Sequence, residues 1–249
     1  MENTRQAQVN NSIYDGLGEQ WYHAYDNPVA LLRAESKVKT PWMVKKIKYY
    51  TPGTCKILDI GCGAGFLSNA LSSFGYSVTG IDTSQESLSV AEKHDVSGNV
   101  DYRAADAYQL PFENEVFEVV AAMDFLEHVE NPERVIFEAG RVLKPGGLFF
   151  FHTFNRNWIS QLVAIKGVEW FVKNTPKNLH VLRLFITPGE MAQYCRSAAL
   201  RVQEVLGLKP EIKLKHVPSF LKGTVPKDFR FTLTKSLRIS YLGYAIKDA

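Results

Sequence analysis

The chain has 249 residues, of which 45% are hydrophobic, 22% charged and 12% aromatic, which supplies one large core and excludes disordered, collagen-like and coiled-coil chains. Cys55, Cys62 and Cys195 are too few and too scattered for a disulfide framework or a zinc site, so a reducing cytoplasm is expected. The net charge of +3 is lopsided: residues 1–140 are acidic on balance and 141–249 basic, a pattern open to an anionic membrane surface, an acidic ligand, nucleic acid or a solvated face.

The opening MENTRQAQVNNS has no apolar core, so no export signal is read there, and no apolar run is long enough to predict a transmembrane helix. Residues 1–50, rich in Trp, Tyr and Lys, are expected to form an N-terminal helical cover over a domain spanning 51–249. From residue 56, short apolar runs alternate with helical patterns, which predicts an α/β fold with a parallel sheet. KILDI (56–60), YSVTGID (76–82), VDYRAAD (100–106) and VFEVVAAMD (116–124) read as the first four strands. Helices are predicted over Ala64–Phe74 and Ser84–His94, and after the cap Asn131-Pro132. The glycines of Lys144-Pro145-Gly146-Gly147 stop that last helix before the strand LFFFHTF (148–154). Residues 156–186 read as an insertion of two short helices broken near Gly167, and Thr187-Pro188-Gly189-Glu190 is a capping box that resumes the core.

The sharpest motif is LDIGCGAG (58–65), a glycine loop between a predicted strand and a predicted helix. Gly61 and Gly63 let the backbone approach a ligand closely, and Asp82, ending the second strand, can accept hydrogen bonds from both ribose hydroxyls. Two details argue against a dinucleotide. Phe66 stands where G-x-G-x-x-G needs its third glycine, and Asp59 repels a diphosphate but suits a cation. S-adenosylmethionine, a sulfonium without phosphates, satisfies both. Asp106, at the end of the third strand, is placed to accept from an adenine amino group. After strand four, Asp124, Glu127 and His128 stand at i, i+3 and i+4 and share one face if a helical turn begins there. Such a set could bind Mg²⁺ or Zn²⁺, or His128 could act without metal as general base toward a phenol; polar first-turn residues with no such role are the third reading.

In ILDIGCGAG (57–65), GID (80–82), the turn at Asp106 and VLKPGG (142–147) the chain resembles class I S-adenosylmethionine-dependent methyltransferases. More narrowly, MDFLEHV (123–129), FNRN (154–157), TPKNLH (175–180) and FITPGEM (185–191) resemble the ubiquinone-biosynthesis O-methyltransferase family. The resemblance implies a Rossmann-like, mostly parallel seven-stranded sheet with helices on both faces and a final antiparallel pair near 200–207 and 237–246. It implies cofactor contacts at Gly61, Asp82 and Met123, and at Lys39, where the family carries arginine. The family's Glu, Glu, His metal triad falls on Asp124, Glu127 and His128. The implied reaction is methylation of a catechol hydroxyl on a polyprenylated aromatic ring.

The insertion would bring the enzyme to a lipophilic substrate at a membrane. Residues 156–183 combine Trp158, Trp170 and Phe171 with Arg156, Lys166, Lys173, Lys177 and Arg183, a composition suited to an anionic bilayer, to a pocket roof or to a dimer contact. Two other functions stay open: methylation of another small phenol or acid, and an S-adenosylmethionine-binding or RNA-modifying protein. No nucleic acid is expected, because no RNA-binding module is visible and MDFL replaces the signature of amino methylation.

Overall fold

The predicted strands form the centre of a computed structural model that describes residues 8–249; residues 1–7, the start of the expected cover, lie outside the described residues. A short helix α1 (Gln20–His23) leads into the long α2 (Val29–Tyr50). Strands and helices then alternate: β1 (Lys56–Ile60), α3 (Phe66–Ser73), β2 (Ser77–Asp82), α4 (Gln85–Lys93), β3 (Asp101–Ala104), β4 (Phe117–Met123), α5 (Pro132–Val142) and β5 (Leu143–Phe154). The insertion carries α6 (Trp158–Ser160) and α7 (Val168–Phe171), followed by α8 (Pro188–Ser197). β6 (Leu200–Pro210), α9 (Val217–Leu221), β7 (Phe231–Thr234) and β8 (Ser240–Lys247) complete the chain.

The sheet order is β3-β2-β1-β4-β5-β8-β6-β7, with parallel pairing from β3 to β5 and antiparallel pairing beyond. Eight strands stand where seven were expected, because β7 adds an antiparallel edge to β6. The order reverses between β1 and β4, so a crevice opens beyond the carboxyl ends of those strands.

Both sheet faces are buried, which is why the central strands read as continuous apolar runs. Successive side chains alternate between the two cores. Leu58, Val120, Phe149 and Phe151 face the α5 and α8 side, while Ile57, Val119, Leu148 and Phe150 face α2 and α3. Caps set the helix starts: Ser84 accepts from the Ser87 N–H, Asn131 from the Arg134 N–H, and Thr187 and Glu190 form the expected reciprocal box.

Two local expectations need correction. The helix after Asn131 ends at Val142, and Lys144-Pro145-Gly146-Gly147 belongs to an irregular start of β5. The insertion does not break at Gly167: α6 runs through a π-turn over residues 161–167 into α7, with Gly167 at ordinary helical angles (φ −61°, ψ −42°). The wide turn rotates the side chains, and so a sequence without one clean 3.6-residue stripe still forms a continuous helical run.

Candidate active site

The glycine loop leaves β1 in a conformation that side chains resist. Gly61 has φ +69°, and a Cβ there would lie 2.2 Å from the Phe125 ring. The loop is tied to β2 by N–H bonds from Gly61 and Cys62 to the Ile81 carbonyl, and by the Gly63 N–H to Asp82 Oδ2 at 2.9 Å. Asp82 Oδ1 also accepts from the Ser84 N–H at 2.9 Å, so the carboxylate is fixed yet retains unused lone pairs.

This loop borders a crevice of about 350 Å³ lined by Lys39, Asp59, Gly61, Gly63, Asp82 and Met123, among others. Asp59 is buried beneath the loop and accepts from Ser68 Oγ at 2.6 Å. Burial pushes its carboxyl up to about 7, with Asp82 and Asp124 adding to the rise. Asp82 and Asp124, with the partly ionised Asp59, outweigh Lys39 and leave the wall acidic, which suits a cationic ligand and opposes a diphosphate, so the donor set fits the sulfonium cofactor. Asp106 is not part of the crevice. It is exposed and accepts from the Tyr108 N–H at 2.8 Å, closing its own turn.

A second cavity of about 560 Å³ adjoins the first and is almost wholly apolar. Its walls come from α2, from the insertion (Leu162, Val163, Val168, Leu179), and from the C-terminal part (Ile212, Val217, Phe220, Phe229). Tyr14, Leu32, Asp124 and His128 line both spaces and therefore mark their junction.

At that junction the expected helical face does not form. Asp124 sits at φ +58°, and only Leu126–His128 make a 3₁₀ turn, so the three residues do not share one helical face. Its carboxylate instead pairs with Lys39 through one oxygen and His152 Nδ1 through the other. Lys39, 3% exposed, also donates to Glu35 Oε2 at 2.9 Å, one turn away on α2. Burial would raise the Asp124 carboxyl, but Lys39 and His152 together hold it well below the ordinary range. For Lys39 burial works against the charge and the two carboxylates outweigh it, so its ammonium is held above the usual range.

These residues do not fit a divalent ion on Asp124, Glu127 and His128. Among the described residues, the acid–imidazole group whose ligand atoms converge within 4.8 Å is Glu35, Asp124 and His152. Lys39 already places an ammonium there, and a second cation would meet its charge at contact distance.

Glu127 is 1% exposed, lines the apolar cavity, and neither carboxyl oxygen has a hydrogen-bond partner. Burial, with Asp124 adding to it, lifts its carboxyl to about 8, so at neutral pH it is mostly a neutral acid. His128 packs between the Tyr14 ring at 5.7 Å and His180 at 5.2 Å. Burial and the neighbouring His180 hold its imidazole down to about 3, which keeps it uncharged at neutral pH and makes it a weaker base than a free imidazole. His180 is itself lowered to about 4 by burial.

Glu35, His152, Tyr14 and His180 belong to this junction without having been picked out in the sequence. Glu35-x-x-x-Lys39 reads as a surface ion pair, His152 as one polar residue in an apolar strand, and His180 as the end of a family stretch. Only an i, i+4 pair buried on an otherwise poorly amphipathic helix hinted at the first. Asn155 and Asn157 of FNRN serve the backbone: Asn155 Nδ2 donates to the Leu237 carbonyl at 2.7 Å, and Asn157 caps α6.

Residues 58–151 match a family described as "Methyltransferase domain". A curated protein of Pseudomonas fluorescens named "Ubiquinone biosynthesis O-methyltransferase" is 35% identical over 219 residues, covering 87% of this chain and 92% of its own. A protein of the same name from Aromatoleum aromaticum is 40% identical over 156 residues, 61% of this chain and 67% of its own. A solved structure of a SAM-dependent methyltransferase from Methanosarcina mazei superposes with a TM-score of 0.57 at 24% identity, covering 82% of this chain and 97% of that one, a likeness of fold.

Proposed function

Because the chain belongs to the ubiquinone biosynthesis O-methyltransferase family and is an S-adenosylmethionine-dependent methyltransferase, we propose that it methylates a catechol or phenol hydroxyl on a polyprenylated aromatic ring. One observation carries this reading: the acid-lined crevice shares Tyr14, Leu32, Asp124 and His128 with an adjoining apolar cavity larger than itself. A small water-soluble phenol needs no such chamber, whereas an isoprenoid tail gains about 25 cal/mol for each Å² it buries there.

In this reading Gly61, Gly63, Asp82 and Met123 seat the cofactor, whose sulfonium when bound supplies an electrophilic methyl group. Asp59 lies below the loop as an acidic floor. Lys39 keeps Asp124 ordered and has a third N–H beyond those given to Glu35 and Asp124, available to the cofactor carboxylate. As a single ammonium it offers no bidentate fork of the kind arginine gives. Asp106 holds its turn through Oδ1 and keeps Oδ2 for the adenine amino group expected of it.

The neutral Glu127 carboxyl can donate to one catechol oxygen and accept from the other, which turns the ring toward the crevice. His128 takes the proton of the reacting hydroxyl as the oxygen–methyl bond forms. Apolar walls exclude water and hold the acceptor in line. No step passes through a divalent ion, since Lys39 supplies the local positive charge.

The cavity mouth supports delivery from a membrane surface. Leu162, Trp170, Phe171, Ile212 and Leu221 line the cavity and are exposed, and Trp158 lies 72% exposed at the start of α6. Lysines 166, 173 and 222 are interspersed with them in sequence. No helix among the described residues is long and apolar enough to cross a membrane. The reading therefore has the enzyme working from the cytoplasm at an anionic bilayer.

The test is methyl transfer to a catechol with and without a prenyl tail, with and without anionic vesicles. The expected result is turnover at least tenfold faster for the tailed acceptor, rising further with vesicles. Equal use of the bare headgroup would point instead to another small phenol as substrate.

A further inference from the structure

His128 is held from a segment outside the matched methyltransferase region. Asn11 precedes a 3₁₀ turn (Ser12–Asp15), and its side chain touches His128 twice. The Asn11 amide nitrogen donates to the His128 carbonyl at 3.2 Å, and Asn11 Oδ1 lies 3.0 Å from His128 Nδ1. These contacts determine the amide orientation by chemistry. A backbone carbonyl can only accept, so the amide NH₂ must face it, and the amide oxygen must then face the ring. An amide oxygen also only accepts, so Nδ1 must carry the proton.

The support for Asn11 is itself built. The Asn10 N–H donates to the Asn178 carbonyl at 2.8 Å, within the stretch that carries His180. Ser87 Oγ donates to the Tyr14 carbonyl at 3.0 Å, and the Tyr14 ring stacks on Trp21 with centroids 5.4 Å apart. The turn is thus anchored to α4, to α1 and to the insertion. Titratable groups around the imidazole are His180 from the insertion, Asp124 just after β4, Tyr14, whose ring meets it edge-on, and Glu127 in the same 3₁₀ turn, which lines the same cavity.

We propose that Asn11 is a positioning residue that locks His128 in the Nδ1–H tautomer, leaving the Nε2 lone pair to receive the acceptor's proton. The role deepens the proposed function and rests on His128 as the base. An unrestrained imidazole divides its proton between both nitrogens, and molecules protonated at Nε2 are inactive as base. Nothing in the glycine loop or in the Asp124–His128 stretch encodes this restraint.

The test uses the full-length ¹⁵N-labelled protein with bound adenosylhomocysteine. Long-range ¹H–¹⁵N correlation spectra report which ring nitrogen is protonated, and the His128 signals are assigned by their loss in His128→Gln. Wild type is expected to show the Nδ1–H pattern and Asn11→Leu to lose it; Asn11→Asp, which still accepts from Nδ1 but has no N–H for the His128 carbonyl, should keep the pattern in part. In parallel, Asn11→Leu should lower kcat about tenfold, a fraction of the 10²–10⁴-fold that a general base contributes, with the KM for the cofactor unchanged. A wild-type His128 protonated at Nε2, or an Asn11→Leu protein that loses the pattern but not turnover, overturns the proposal. Full turnover in His128→Gln would instead overturn the base assignment and leave the tautomer result standing.

Discussion

The two halves of the cleft are built on opposite plans. The crevice beside the glycine loop comes from the ends of β1, β2 and β4 with α2 and the N-terminal turn laid over them, and it sets acids and backbone N–H groups among apolar side chains. The apolar cavity has no such centre: α2, the insertion, and the 212–231 region each contribute one wall. A ligand common to a whole enzyme class meets the rigid sheet. In the proposed reading the acceptor meets elements that lie outside it. The junction residues Tyr14, Leu32, Asp124 and His128 belong to both plans, and substitutions there and on either side separate them.

The largest effect is expected at Lys39. Lys39→Met would leave Asp124 and Glu35 as adjacent buried acids without a cation, a loss of about 3–5 kcal/mol of stability, measurable by urea unfolding at pH 7. A change below 1 kcal/mol would show that the ammonium does not hold the junction together. His128→Ala should reduce kcat by roughly 10²-fold or more, while calorimetry finds adenosylhomocysteine binding within about threefold of wild type. Retained turnover would remove His128 from the chemistry.

Glu127 tests the buried side of the junction through pH. An ordinary glutamate titrates near 4.5, and burial, with Asp124 beside it, pushes this carboxyl up to about 8 in the folded chain. Between those values the unfolded chain gives up the proton and the folded one keeps it, so this group lowers stability as pH rises. Glu127→Gln removes the titration, and its stability relative to wild type should grow by about 3 kcal/mol between pH 5 and pH 8. A constant difference across that range would mean the carboxyl is solvated.

Val168→Asp places a charge in the cavity wall and leaves the crevice untouched. The KM for a prenylated acceptor should rise about tenfold, the equivalent of 1.4 kcal/mol, with the bare headgroup unaffected; equal changes in both would deny the cavity its role. The smallest effect concerns metal. Prolonged chelation should leave turnover unchanged, and a loss restored by Mg²⁺ or Zn²⁺ would mean that Lys39 leaves the acid cluster when the enzyme is loaded.

Legibility along the chain follows the range of the interactions. Leu58-Asp59-Ile60-Gly61 announces strand and turn because alternation and steric freedom are local properties, and the caps at Ser84, Asn131 and Thr187 act within four residues. The 124–128 stretch misled for the same reason. Its spacing suits a helix, but Asp124 adopts φ +58°, where Lys39 and His152 pair with its two oxygens. Neither partner is near it in sequence. Asp106, an acid at a strand end like Asp82, turned its side chain to its own backbone, a choice that the residue type alone leaves open.

By itself, then, the order of amino acids specified an alternation of strands and helices with a parallel sheet, a glycine turn after its first strand and acids around that turn, since each is a matter of near neighbours and hydrophobic period. Packing decided the rest: which cation lies among the junction acids, which carboxyl stays neutral, which nitrogen of His128 carries its proton, and how large a chamber the insertion encloses. Those outcomes depend on burial and on charges brought together from distant segments, and neither exists until the chain has folded.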